Sequence, residues 1–327
     1  MASESDEAGP TDDASTDRDV DVDYDVVVVG GGPSGCSAAV FTGRYGLDTV
    51  IFDRGKAALK RAAYVENYLG FPAGVGTDTL YDLMHDHVDE AGCEYVADLV
   101  ESVERRSPGG ESEATRGFVV ETQEGRTVTT RYVVAASWYD GEYLRPLGGD
   151  EMFEVHDHGD EEHEQFDPDY ADDDGRTPVD GLYVVAPAGE RNAQAIIAAG
   201  QGAYVARSLL EDHRHAQGYP DGVDTYYDWI RPDSEFTGEW GDRERWREWF
   251  HDRIPDEYAA SDERLAELRE SYIDRAFETK LTEDEVRRRA ERGQKRLFDH
   301  VDDDLILERA REIEAERREQ RDAEQSD

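Results

Sequence analysis

Apolar positions in this chain follow two rhythms. Up to about residue 212, short β-branched runs alternate with stretches of small residues; beyond it, charges alternate at helical spacing. Tyr24 to Val29 (YDVVVV) is a short run of the kind expected for a strand buried on both faces of a parallel sheet. Ser34 to Tyr45 is small and apolar and stops at Gly46, which reads as a helix with a glycine terminator. Thr49-Val50-Ile51-Phe52 is a second strand. Strand, glycine turn, helix and strand within about thirty residues predict a βαβ unit.

Leu80 to Ala91 reads as another helix, with Leu80, Leu83, Met84 and Val88 on one face. From Glu94 to Ala136, short strands separated by Gly-containing turns predict a β-meander. Residues 150–178 are acidic and poor in apolar side chains, which predicts a surface loop. Gly181 to Val185 returns to strand character, and Ala193 to Leu210 reads as a helix rich in small residues. Further on, Thr282 and Glu285 have the spacing of a capping box ahead of a long polar helix. The expected organisation is an acidic disordered tail over 1–22, one α/β domain over 23–212, and an acidic, mainly helical region over 213–327.

Charge narrows the function classes. The chain has 79 Asp and Glu against 36 Lys and Arg, a formal net charge of −43. Such a surface repels nucleic acid and anionic lipid, so neither is an expected partner. Lysine occurs only at Lys56, Lys60, Lys280 and Lys295. Acid excess with so little lysine fits a cytoplasmic protein of a salt-in halophile, since the acids spread along the whole length rather than forming tails. The first residues lack the apolar core of a signal peptide, and no apolar run is long enough to span a bilayer. Cys36 and Cys93 form neither a CxxC pair nor a zinc-ligand spacing.

The chemistry concentrates in VVVVGGGPSGCSAAV. Gly30, Gly32 and Gly35 fit G-x-G-x-x-G: the first permits the tight turn, the second lets backbone approach a pyrophosphate, and the third lets helix and sheet pack closely. Pro33 and Ser34 open the helix, whose N-terminus offers unpaired N–H groups and a positive dipole end to that pyrophosphate. Asp53 closes the second strand, where an acid can accept hydrogen bonds from ribose hydroxyls; Arg54 follows it and joins the candidate set. Cys36, just inside the helix, reads as a buried structural thiol.

The GGGPSG turn resembles that of the two-dinucleotide-binding flavoproteins, where it holds the ADP part of FAD. The segment Tyr64-Val65-Glu66-Asn67-Tyr68-Leu69-Gly70-Phe71-Pro72 is similar to the ENYPGFP-type segment of the thioredoxin reductase family, which lies along the flavin. Gly181 to Val185 followed by Asn192 to Gly202 resembles that family's closing strand and helix. The resemblance covers roughly 24–150 and 178–212. It implies a Rossmann-like FAD-binding domain with Asn67, Gln194 and Ala195 lining the flavin, the last two through N–H groups at a helix N-terminus.

The chain departs from the family in three places. The family inserts an NADPH domain carrying a redox-active CxxC between the two halves; here only Glu151 to Thr177 fills that place. The family's Ala-Thr-Gly strand end appears as Ala135-Ala136-Ser137, and its Gly-Asp pair as Ala186-Pro187. The expected function is therefore an FAD-dependent oxidoreductase served by an external small-molecule or protein redox partner, not a thioredoxin reductase. Two alternatives stand beside it: a degenerate nucleotide-binding or interaction protein without turnover, and an NAD(P)-dependent dehydrogenase. No side chain stands out as a general acid or base, and a homodimer is left open.

Other clusters carry less. His156, His158 and His163 with Asp157, Asp160 and Glu161 have metal-binding chemistry, but an acidic loop produces such coincidences freely, and no metal site is assigned. His85 and His87, two apart on a helix, do not share a face. His213 and His215 follow a helix end, where they can interact with its dipole. Trp138, Tyr139 and Tyr143 could flank a flavin or cover the face left bare without an NADPH domain. Trp229, Trp240, Trp246, Trp249 and Phe250 are expected to anchor the C-terminal helices.

Overall fold

A computed structural model describes residues 21–55, 58–106, 117–137, 141–158, 161–185, 194–225 and 230–325. The βαβ unit begins it: β1 (Tyr24–Val29), α1 (Pro33–Tyr45) and β2 (Thr49–Phe52), with β1 and β2 parallel. Helix α1 stops at Gly46, whose φ of 102° is open to glycine at no steric cost. Then come α2 (Thr77–Glu90), β3 (Glu94–Val96), β4 (Val100–Arg105), β5 (Phe118–Thr122) and β6 (Thr127–Ala135). A short helix, α3 (Arg145–Gly148), leads to β7 (Phe153–His158), β8 (Glu161–Phe166), β9 (Leu182–Val184) and α4 (Ala195–Ala216).

The central sheet among the described residues runs β3-β2-β1-β6-β5-β4, with β9 also paired to β6. Strand β6 joins two architectures. Its first half pairs antiparallel with β5, and its second half lies parallel to β1 on one edge and to β9 on the other. Alternation along β1 sorts the core into two layers. Val26 and Val28 face α1 and α4, meeting Ala38, Ala39, Ala206 and Leu209; Val27 and Val29 face the opposite layer with Val103, Phe118, Leu144 and Met152.

Two expectations need correction. The β-meander over 94–136 holds for β4 to β6, but β3 pairs parallel with β2 at the sheet edge. A three-residue edge strand carries too little pattern to reveal which neighbour it takes. The expected loop over 150–178 contains the β7–β8 hairpin, in register from Phe153↔Phe166 to His158↔Glu161. Its apolar content lies at the base, where Met152 and Phe166 are buried, so its average composition hides it.

Beyond α4 lie β10 (Arg231–Pro232), α5 (Arg243–His251), α6 (Asp262–Glu278), β11 (Lys280–Leu281), α7 (Glu283–Phe298) and α8 (Asp303–Glu324). This region has its own small cores, one around Tyr219, Val223, Phe250 and Leu268, the other around Phe236, Trp246 and Ile273. Trp246, Trp249 and Phe250 thus hold α5 and α6 together, and Trp240 packs edge-on against Trp246 at 5.3 Å. Buried Arg214 links this region to α4, stacking 3.8 Å over Tyr219 and donating to Val223 O at 2.7 Å. The Thr282–Glu285 capping box is formed, but the expected long helix divides, because Asp302 caps a new helix by accepting from Asp304 N at 2.8 Å. No helix among the described residues is long and apolar enough to cross a membrane.

Candidate functional site

The glycine turn is built by close approach. Gly30 has φ 110°, and a β-carbon there would lie 2.6 Å from the carbonyl oxygen of Ala136. Its amide donates to Phe52 O at 2.8 Å, which draws the turn across the C-terminal ends of β1 and β2. A β-carbon on Gly35 would strike the Gly30 carbonyl, so the third glycine sets how near α1 comes to β1. Gly32 is the N-cap of α1, with extended backbone and no side-chain cap, and Pro33 follows in the first turn. The first amides of α1, at Ser34 and Gly35, have no partner within the helix and suit an anion such as a pyrophosphate.

Asp53 stands beside the turn. It is buried, and its Oδ2 would lie 2.8 Å from a β-carbon on Gly31. Three donors hold it: the Tyr81 hydroxyl, the Tyr95 hydroxyl at 2.9 Å and the Gly55 amide at 3.0 Å. Burial first, with the neighbouring Asp53 carboxylate, pushes both tyrosine hydroxyls well above their ordinary range, so they remain donors. His85 lies between the two rings, 4.2 Å from Tyr81 and 4.0 Å from Tyr95, with Nε2 3.4 Å from Gly31 O. Burial lowers its pKa, which favours the neutral imidazole. Lys60 sits over the outer face of this group, 4.4 Å from the Tyr81 ring centre.

The second half reaches the site through α4. A β-carbon on Gly202 would collide with the Ser34 carbonyl, so α4 crosses α1 at its first turn. Ala195, the first residue of α4, lies two turns ahead of that crossing, roughly 10 Å along the axis. Gln194 caps α4 without a side-chain bond to its own helix; instead its Oε1 accepts from Asn67 Nδ2 at 2.9 Å. The segment carrying Asn67 is anchored by paired backbone bonds between Val65 and Val75 and by packing of Val65, Tyr68, Phe71 and Leu80.

Of the residues read as cofactor-binding, Gly30, Gly32, Pro33, Ser34 and Gly35 therefore form one turn, with Asp53 against it. Asn67, Gln194 and Ala195 meet at the start of α4, while Arg54 is exposed at the end of β2. Ala186-Pro187, Asn192-Ala193, Trp138, Tyr139, Trp229 and the tail over 1–20 lie outside the described residues. So do the side chains of His156, His158 and His163 with their acidic neighbours, although the register sets His156 opposite His163. Tyr143 is buried in the sheet core and bonded to Ser137 at 2.9 Å.

The sequence reading missed Tyr81, His85 and Tyr95. Tyr81 and His85 are four apart and share a helix face, a spacing that the His85–His87 pair does not reveal. The thiols are placed as expected for Cys36 and unexpectedly alike for Cys93. Both are free and buried, and burial pushes them up to about 12 and about 11. Elsewhere His215 pairs with Asp224 at 2.9 Å and Asp221 at 3.4 Å, and His213 is buried beside the Tyr132 hydroxyl.

This architecture defines a Rossmann-like dinucleotide-binding domain. Residues 23–68 match the family model described as FAD binding domain, and FAD is the cofactor this domain takes. The chain is thioredoxin reductase-like. It is 32% identical over 132 residues to a thioredoxin reductase of Listeria monocytogenes, across 39% of this chain and 38% of that protein. To the thioredoxin reductase of Bacillus subtilis it is 39% identical over 74 residues, across 22% of this chain and 23% of that one. A solved thioredoxin reductase from Gloeobacter violaceus aligns at 20% identity with a TM-score of 0.44, over 59% of this chain and 95% of that one. The chain thus spans well under half the length of the curated relatives it matches.

Proposed function

We propose that this protein is an FAD-dependent oxidoreductase that exchanges electrons with an external donor and acceptor, without a dithiol of its own. When bound, the flavin supplies the redox chemistry, and the chain supplies position and surroundings. Gly30 to Gly35 and the first amides of α1 would hold the pyrophosphate. Asn67 and Gln194 would hold the flavin end, with the N-terminus of α4 presenting amides and a positive dipole end to a reduced, anionic ring.

The observation that carries this reading is the crossing of α1 and α4 at Ser34 and Gly202. It sets the start of α1, which would hold the pyrophosphate, and the start of α4 on one side of the sheet. The thiols support the absence of disulfide chemistry: two buried groups with pKa values about 12 and about 11 are protonated at neutral pH and poor nucleophiles.

The test is the visible spectrum of protein purified in molar KCl, with the heat-released cofactor identified by chromatography. FAD near one equivalent per chain, reducible anaerobically by an added donor, is the expected result. Protein that is colourless and does not take up added FAD would defeat the proposal. Bound FAD that no donor reduces would favour a nucleotide-binding protein without turnover.

A further inference from the structure

A carboxylate that reads a ribose must offer acceptors to two adjacent hydroxyls. A carboxylate has about four lone-pair sites, two on each oxygen. On Asp53, Oδ2 already accepts from the Tyr81 and Tyr95 hydroxyls, and Oδ1 accepts from the Gly55 amide. One site remains, which is too few for a ribose diol. The space beside the turn is filled as well: a β-carbon on Gly31 would sit 2.9 Å from the edge of the Tyr95 ring. His85 wedges between both tyrosines with its ring nitrogen toward the Gly31 carbonyl.

We propose that Tyr81, His85 and Tyr95 form an internal latch over the adenosine end of the dinucleotide site, which must swing off Asp53 before the ribose can bind. Accepting this, the latch sets cofactor specificity. A flavin mononucleotide has no adenosine and leaves the latch closed, whereas FAD binds only to the fraction of molecules in which it is open. The apparent affinity for FAD falls by that fraction. The two ends of the site thereby differ: the first amides of α1 have no partner within the helix, whereas the ribose acid is engaged by the protein itself.

The proposal rests on the reading that the glycine turn holds FAD, and the test separates the two. Flavin fluorescence quenching would give the affinities of FAD and FMN for the full chain, freed of flavin in molar KCl. The variants are Tyr81→Phe/Tyr95→Phe, which frees Asp53, and His85→Ala, which removes the wedge at a half-buried position. We expect FAD to bind about tenfold more tightly to each variant, with FMN unchanged, since one charge-assisted hydrogen bond is worth about that factor. Unchanged or weaker FAD binding in His85→Ala, which also controls for misfolding of the double variant, overturns the latch while leaving the FAD reading intact. Equal tightening of FMN overturns it too, because the effect would not lie at the adenosine end. Failure of FAD to bind the wild type and both variants alike overturns both readings.

Discussion

Gly202 lies so close to Ser34 that a β-carbon there would collide with the Ser34 carbonyl, main chain on α1 that cannot rotate aside. Gly202→Ala is therefore an overpacking change at the crossing of two helices, and we expect it to cost about 1–3 kcal/mol. Gly200, in the same helix, meets nothing within 4 Å. There, alanine's helix preference should leave stability unchanged or raise it by up to about 1 kcal/mol. Denaturant unfolding of both variants in molar KCl decides the matter: equal midpoints would show that the two helices do not cross as described.

The thiols give a chemical check. Cys36 Sγ donates to Gly31 O at 3.3 Å and Cys93 Sγ to Ala39 O at 3.2 Å, both within the buried layer between α1 and the sheet. With pKa values raised by burial to about 12 and about 11, neither forms appreciable thiolate near neutrality. A thiol-reactive disulfide reagent at pH 8 should leave the folded chain unmodified and titrate both cysteines once the chain is unfolded. Rapid labelling of either in the folded state would show a reactive thiol.

These cases mark what could be read in advance. The four valines of β1, the glycines and Gly46 each follow from a local steric or burial requirement, so the βαβ unit and its pyrophosphate turn were legible. Asp53 was legible as an acid at a strand end, but its partners were not. Tyr81 and Tyr95 come from a different helix and strand, and only the pairing of β3 beside β2 brings them to it. The β7–β8 hairpin was hidden because Met152 and Phe166 at its base do the packing. The C-terminal helices were legible as helices. Their docking was not, because charge alternation says which residues face water but not which opposite charges meet.

Glu270 provides a pH test of that docking. It accepts from Arg247 at 2.8 and 2.9 Å, from Arg269 at 3.1 Å and from Arg243 at 3.3 Å, joining α5 to α6. Those guanidinium groups, Arg247 foremost, bring its pKa from the ordinary 4.5 down to about 2. A carboxylate with a lowered folded-state pKa stabilises fully above its unfolded value, and the effect disappears as pH falls through the folded value. Its contribution is thus constant above about pH 4.5 and fades toward pH 2, and the partial exposure of the group keeps it modest. Glu270→Gln should lower the unfolding midpoint at pH 7 and have a shrinking effect between pH 4.5 and 2. An effect that grows on acidification would reverse the sign of this argument.

Salt should act on the molecule in two opposite directions. A net charge of −43 repels itself at low ionic strength, and counterions that screen it stabilise the compact state. The contact between α7 and α2 depends on the reverse. Arg292 pairs with Glu90, Arg296 pairs with Asp86, and His300 meets Asp86 at 3.2 Å. These bridges are partly exposed, and Val286, Leu297 and Phe298 of α7 are left facing solvent, so little apolar burial supports the docking. Screening weakens such pairs. Hydrogen exchange measured at 0.5 and 3 M KCl should therefore slow for amides of α1 and α4, whose protection follows global stability, and quicken for those of α7. If both sets slow together, α7 is held by something other than its charges. If α1 and α4 quicken, self-repulsion is not what limits the fold at low salt.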